Sequence, residues 1–122
     1  MIGYVTLGTN DLPRAAMFYD ALLEGIGAKR LMESERYVFW GVSMQLPSLS
    51  LVKPFDGEPA TIGNGDMVAL VVDERDKVYR LHAKALSLGG TDEGAPGDRG
   101  GGFYAGYFRD LEGHKLNVFC TG

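Results

Sequence analysis

The feature that most constrains this chain is an internal repeat. Residues 4–28 match residues 67–91 at a constant offset of 63, in a chain of 122 residues. Apolar and glycine positions coincide in the two copies, as in Val5 with Val68, Leu7 with Leu70, and Gly27 with Gly90. A repeat of this length is typical of a duplicated supersecondary unit, because each copy needs a partner to bury its apolar face. The chain is therefore expected to fold as two related modules.

Each copy begins with a short β-rich run and continues at helical spacing. In the first copy, Asn10 or Asp11 can cap a helix, and Pro13 falls in the first turn, where its missing N–H costs nothing. Gly25 and Gly27 are expected to end this helix. One apolar stripe follows the cap and comprises Leu12, Ala15, Ala16, Tyr19, Leu22, Leu23 and Ile26. The second helix is expected to begin after Asp73 and to stop at Gly89 and Gly90, with Val78, Leu81, Ala85 and Leu88 buried.

The segments after each helix are strand-like. Strands are predicted at residues 28–32, 37–42, 49–53, 103–109 and 116–120, with a weaker one near residue 91. The segment 54–66 contains two prolines and three glycines and is interpreted as the linker. The predicted fold is α+β: two paired βαβββ modules, about 1–54 and 66–122, form one domain with a curved mixed sheet around a cleft and the helices outside.

Composition excludes several classes of partner. The formal net charge of −4 leaves no positive field for phosphate backbones, so nucleic acid is not expected as a partner. The longest uncharged run, 37–52, contains Gln45, Pro47 and several serines and is too short to span a membrane. With a single cysteine and no charged segment before an apolar run at the start, the chain is predicted to be cytoplasmic.

Strand alternation separates two faces in each module. Tyr4 and Thr6 point away from the face that the first helix covers, and Met67 and Ala69 do so in the second copy. Aromatic side chains on the other predicted strands add to these faces. A small organic molecule could bind there, although the same aromatic residues could simply fill a core.

Few side chains suggest catalysis. His82 and His114 are interpreted as surface residues, and neither has a partner at metal-ligand spacing. Cys120 is expected to be a buried, inert thiol. Asp110 and Glu112 lie in a predicted hairpin turn, where hydrogen bonds to the backbone account for them.

The glycine-rich segment 94–102 has five glycines in nine residues and is predicted to be a mobile loop. It precedes the strand that carries Tyr104. It is therefore a possible flap over the cleft, with Arg99 available to meet an anionic ligand. The alternative is a solvated connector that leaves Arg99 in water.

Four stretches of the chain, residues 4–19, 53–65, 89–97 and 107–117, resemble the glyoxalase/bleomycin-resistance/extradiol-dioxygenase family, the vicinal oxygen chelate superfamily. The last of them contains Asp-Leu-Glu-Gly-His-Lys-Leu-Asn at 110–117. The resemblance covers nearly the whole chain and implies paired βαβββ modules, a cleft that binds a divalent metal and a substrate, and frequent dimers whose clefts can be completed across the subunit interface.

The resemblance also indicates where metal ligands would lie. The first histidine of the family pattern falls on Tyr4, the second histidine on Met67 and the glutamate on Asn117, while a further position lies near Ser50. None of these side chains is a strong ligand for a divalent cation. Asn117 also cannot act as the general base that a glutamate would provide. A divalent metal is therefore possible but disfavoured, no cofactor is expected, and catalytic residues remain unassigned.

The sequence favours a metal-free protein, a homodimer, that binds a small, aromatic or amphipathic molecule. The cleft residues expected to hold this ligand are Tyr4, Thr6, Trp40, Ser50, Met67, Tyr104, Asn117 and Phe119. The alternative is an enzyme. It would be a metal-dependent lyase or dioxygenase resembling lactoylglutathione lyase, or a metal-free enzyme with Tyr4 or Tyr104 as the acid. A regulatory dimer with a packed cleft is the third possibility.

Overall fold

The computed structural model describes residues 1–122, which divide into two compact units, Met1–Ile62 and Gly63–Gly122. The first unit contains β1 (Tyr4–Gly8), α1 (Leu12–Glu24), β2 (Lys29–Glu33), β3 (Tyr37–Gly41) and β4 (Ser48–Val52). The second contains β5 (Val68–Val71), α2 (Arg75–Ser87), β6 (Thr91–Asp98), β7 (Phe103–Arg109) and β8 (Lys115–Thr121). Each unit is therefore βαβββ, and the predicted α+β class is confirmed.

The two sheets share one topology. The strand order is β1-β4-β3-β2 in the first unit and β5-β8-β7-β6 in the second. In each, the opening strand pairs in parallel with the last strand, and the remaining pairs are antiparallel. The repeat in the sequence is thus a repeat of the complete sheet topology.

The core of the first unit lies between α1 and one face of its sheet. Asp11 caps α1 as expected, because its side chain accepts a hydrogen bond from the Arg14 N–H at 3.2 Å. Register pairs Val5 with Leu49 on the face that α1 covers, so the opposite face carries Tyr4. The buried residues of α1 are Leu12, Ala15, Ala16, Phe18, Tyr19, Leu22 and Leu23, close to the predicted stripe.

The core of the second unit is built in the same way under α2. The buried residues of this helix are Val78, Leu81, His82 and Ala85. They face the part of the sheet that carries Phe108, Leu116 and Val118, all three fully buried. Cys120 is also buried, as predicted.

The glycine-rich segment 94–102 is not the mobile loop that the sequence predicts. Its first half belongs to β6, and only residues 99–102 form the turn into β7, closed by the Arg99 N–H to Phe103 carbonyl hydrogen bond of 2.7 Å. The β6–β7 register shifts twice, between Asp92 and Gly94 and between Gly94 and Gly97, so both irregularities lie at glycines. A Cβ at Gly94 would lie 3.2 Å from the Tyr107 ring, so glycine permits the close approach of the strands. The segment is therefore part of a hairpin of β6 and β7 and not an unpaired loop.

Residues 53–67, which include the predicted linker, contain no helix or strand. None of the helices is both long and apolar enough to cross a membrane.

Candidate functional site

In each unit the sheet face opposite the helix is called the open face. The open face of the first sheet carries Tyr4, Thr6, Ser50, Tyr37 and Phe39, as the register across β1, β4 and β3 shows. The Tyr4 and Phe39 rings meet edge to face with their centroids 4.9 Å apart. Ser50 is fully buried, and its hydroxyl donates to the Val5 carbonyl at 3.3 Å. This hydroxyl proton is therefore already used within the sheet.

Trp40 does not lie on the open face of the first sheet. Its ring is 1% exposed and packs 5.6 Å from the Tyr19 ring of α1. The indole Nε1–H donates to Asp20 at 2.8 Å, and the Arg30 guanidinium donates to the same carboxylate at 2.7 and 2.9 Å. The Arg30 hydrogen bonds lower the pKa of Asp20, with a smaller contribution from Trp40. The expectation that Trp40 lines a ligand cleft is corrected: strand alternation places it under the helix.

The open face of the second sheet combines aromatic, amide and cationic groups. Asn117 and Phe119 of β8 lie on it, and register places Tyr107 beside Asn117. The Phe103 and Phe119 rings stack with centroids 5.1 Å apart. Lys115 belongs to the same row of alternate β8 residues, so one strand presents a cation, an amide and an aromatic ring in sequence.

Tyr104 lies on the opposite face. It pairs across the strands with the buried Cys120, and the Arg75 guanidinium of α2 lies 4.9 Å from its ring centroid. The prediction that Tyr104 lines the cleft is therefore wrong for the same reason as for Trp40. Met67 lies one residue before β5 and is 44% exposed.

Asn117 contains the one buried side-chain polar atom that lacks a hydrogen-bond partner. The residue is 1% exposed, and its Oδ1 accepts no hydrogen bond. Burying an amide oxygen without a partner costs about 1–3 kcal/mol, and native proteins rarely retain such a group without a reason. A ligand that hydrogen bonds to this amide would remove the cost.

Two cationic side chains, Arg99 and Lys115, lie close to the Tyr107 ring, which is next to Asn117. The Arg99 guanidinium lies 5.4 Å and the Lys115 ammonium 5.5 Å from its centroid. Arg99 Nη2 donates to the Ala105 carbonyl at 3.1 Å and also to the Ala95 carbonyl, which fixes the side chain against the sheet. Arg99, which the sequence suggests for a flap, lies in the turn between β6 and β7.

Both histidines are buried, which corrects the prediction that they are surface residues. His82 is 5% exposed, and its Nε2 lies 3.0 Å from Asp92 Oδ1 and 3.1 Å from the Tyr107 carbonyl. Both neighbours are acceptors, so Nε2 carries a proton. His114 is likewise buried beside the β7–β8 turn. In that turn Asp110 accepts hydrogen bonds from two backbone N–H groups at 2.9 Å, which confirms its structural role.

Asp92 is expected to make stability fall in acid. The Gly94 N–H hydrogen bond lowers the pKa of Asp92, and His82 contributes further. A carboxyl with a lowered folded pKa stabilises the fold above its unfolded value of about 4, and the stabilisation is lost as the pH falls through the folded pKa. Urea unfolding of Asp92→Asn should show a smaller free energy than wild type at pH 7 and a smaller drop below pH 4. Equal acid slopes for both proteins would contradict this assignment.

The residues at the four positions that the family resemblance indicates for metal ligands have poor donor groups for a divalent cation. Tyr4, Ser50, Met67 and Asn117 offer a phenol, a hydroxyl, a thioether and an amide, none of them a charged oxygen or imidazole ligand at neutral pH. No group of three or more His, Cys, Asp or Glu side chains could hold a metal ion. The donor chemistry therefore does not fit a divalent cation.

Sequence reasoning missed two members of the open face of the second sheet. Lys115 lies at the first position of β8, outside the predicted strand 116–120, so strand alternation over that range does not include it. The sequence indicates only that Tyr107 is an aromatic residue on a strand. Its place beside Asn117 follows from the β7–β8 register, which alternation along one strand does not determine.

Comparison with known proteins supports the fold. A sequence profile of the Glyoxalase/Bleomycin resistance protein/Dioxygenase superfamily matches residues 1–118. The chain is similar to a solved glyoxalase/bleomycin resistance protein from Albidiferax ferrireducens, with 30% identity, a TM-score of 0.92 and coverage of 100% of this chain and 99% of that one. No curated protein is a significant sequence match.

Two more distant structures share the fold. A lactoylglutathione lyase from Agrobacterium tumefaciens is 20% identical, with a TM-score of 0.71 over 98% of this chain and 92% of that one. The fosfomycin resistance protein FosX from Mesorhizobium loti is 17% identical, with a TM-score of 0.72 over 100% and 92%. At these identities the similarity describes architecture only.

Proposed function

The chain belongs to the Glyoxalase/Bleomycin resistance protein/Dioxygenase superfamily, and we propose that it is a member that binds a small organic molecule without the divalent metal of the family. The observation that carries the proposal is the buried, unpartnered Oδ1 of Asn117 on an open sheet face. Family resemblance places the metal-ligating glutamate at this position. An amide there can hydrogen bond to a ligand but cannot replace a carboxylate as metal ligand or general base.

The surroundings of Asn117 support an organic ligand. The stacked Phe103 and Phe119 rings offer an apolar surface on the same face, and Tyr107 lies directly across from Asn117 on β7. Aromatic rings with one or two fixed polar groups are typical of sites that bind small molecules. In this proposal the ligand stacks on the rings and donates a hydrogen bond to Asn117.

The proposal includes the oligomeric state and the cellular compartment of the protein. The family resemblance favours a homodimer, and a lone buried cysteine fits the reducing cytoplasm. The metal-dependent lyase or dioxygenase activity remains the alternative, and it requires ligands other than the four neutral side chains described above.

The proposal predicts ligand binding that is independent of metal. The probe is N-phenyl-1-naphthylamine, a neutral aromatic amine whose fluorescence rises in apolar surroundings and whose N–H can donate to Asn117. Protein dialysed against chelator should bind this probe, and its affinity and melting temperature should not change when Zn²⁺, Ni²⁺, Mn²⁺ or Fe²⁺ is added. The measurements are a fluorescence titration, thermal unfolding and elemental analysis of protein purified without an affinity tag.

Each opposing result has a definite meaning. Failure of the probe to bind to folded protein would reject the proposed binding function. Near-stoichiometric metal together with a raised melting temperature would reject metal independence and favour the enzyme alternative, because a ligand that binds only the folded state raises apparent stability.

A further inference from the structure

The open face of the second sheet carries an excess of positive charge, although the chain as a whole has a formal net charge of −4. Three cationic side chains lie on it. Arg109 pairs with Glu93, which neutralises that cation. Arg99 instead donates to backbone carbonyls and lies beside the Tyr107 ring, and Lys115 lies beside the same ring.

The two remaining cations are held near one point. Both lie within 5.5 Å of the Tyr107 ring centroid. The hydrogen bonds of Arg99 to the sheet use Nη2, which leaves Nη1 and Nε to meet a ligand. A guanidinium fixed in this way loses little side-chain freedom when it binds an anion, so the binding geometry is largely preformed.

The chemical character of the site changes along β8 from a charged end to an aromatic end. Lys115, Asn117 and Phe119 follow one another on the same face, from cation to unpartnered amide to stacked aromatic ring. Alternate positions on a strand are separated by about 7 Å, so the backbone positions of Lys115 and Phe119 are about 13 Å apart. This order of groups fits an aromatic molecule with a charged group at one end.

We infer that the open face of the second sheet selects apolar, aromatic molecules that carry one anionic group, such as a carboxylate, sulfonate or phosphate, with the anion held by Arg99 and Lys115 beside Tyr107. The inference rests on the proposed binding function and adds the charge class of the ligand. The apolar end lies on Phe103 and Phe119, and Asn117 hydrogen bonds to the middle of the molecule.

Two probes with the same ring system separate the contribution of the anionic group to binding from that of the aromatic rings. 8-Anilinonaphthalene-1-sulfonate carries a sulfonate on the ring system of the neutral N-phenyl-1-naphthylamine. The anionic probe should bind about tenfold more tightly than the neutral one at low salt, and this difference should shrink in 0.5 M NaCl, where the Debye length falls to a few ångströms.

The test variant is the double substitution Arg99→Gln with Lys115→Gln. It should weaken binding of the anionic probe about tenfold while the affinity for the neutral probe changes less than twofold. The control is Arg14→Gln with Lys84→Gln, which removes the same charge from exposed helix positions. The control should leave both affinities within twofold, because those positions lie outside the site. Thermal unfolding and the neutral probe together establish that each variant is folded.

The possible outcomes separate the preference for anionic ligands from the proposed ligand binding itself. Loss of anionic selectivity in the test variant alone supports the inference. Equal affinities of wild type for the two probes, or equal losses in the test and control variants, overturn the anionic selectivity and leave the binding function in place. Absence of binding by both probes rejects the proposed function and the inference with it.

Discussion

Replacing Trp40 with alanine is expected to lower the free energy of unfolding by about 3–5 kcal/mol, the usual cost of truncating a buried aromatic side chain. Trp40 is 1% exposed, packs on Tyr19 and donates its indole N–H to Asp20. Alanine would leave a cavity under α1 and remove that hydrogen bond. Urea unfolding followed by circular dichroism measures the change without relying on tryptophan fluorescence.

Two further variants make this prediction specific to the face on which Trp40 lies. Tyr4→Ala alters an exposed aromatic residue on the open face and should cost less than about 1 kcal/mol. Trp40→Phe should keep the fold and bind N-phenyl-1-naphthylamine with an affinity within twofold of wild type. A tenfold change in the affinity of folded Trp40→Phe would mean that this side chain does contact the ligand.

Replacing Asn117 with leucine is expected to stabilise the protein and to weaken ligand binding at the same time. Leucine has a similar shape and no unpaired oxygen, so the free energy of unfolding should rise by up to about 1–3 kcal/mol. The affinity for N-phenyl-1-naphthylamine should fall about three- to tenfold, the equivalent of one lost hydrogen bond. Urea unfolding and fluorescence titration on the same sample give both values.

Asn10→Leu is the matched control for this substitution. The Asn10 amide donates to the Ala60 carbonyl at 3.1 Å and accepts from the Ala60 N–H at 2.7 Å. The same change of side chain should therefore destabilise the protein by about 1 kcal/mol or more and leave probe affinity unchanged. Destabilisation by Asn117→Leu as large as that of Asn10→Leu would show that the Asn117 amide has a structural role. The opposite signs expected for the two variants follow the usual exchange of stability for function at a binding site.

Local pattern was sufficient for much of the fold. The 63-residue offset predicted two βαβββ units, and the structure has the same strand order in both. Capping by Asp11 and the apolar stripe of α1 were predicted because helix signals act within a few residues. The face of Tyr4 and Thr6 followed from strand alternation, since a residue and its second neighbour must share a side.

Long-range pairing decided the rest. The glycines at 94 and 97 predict a loop when only the neighbouring sequence is considered. In the structure this segment pairs with β7, which supplies its hydrogen bonds. His82 lies among charged neighbours in the sequence. In the structure it is buried between α2 and the sheet, where its ring nitrogen contacts Asp92 of β6 and a backbone carbonyl of β7. Residue type alone suggests Trp40 and Tyr104 as ligand contacts, whereas the position of each helix determines which sheet face belongs to the core.

The sequence by itself determined the duplicated architecture and the neutral side chains at the family metal positions, because the repeat, the helix signals and residue identity are properties of the chain alone. Only the tertiary structure placed Lys115, Arg99 and Tyr107 together and left Asn117 buried without a partner. These groups come from a turn and two strands, and their proximity depends on strand register. Register is set by pairing and packing over the whole sheet, which no local pattern specifies.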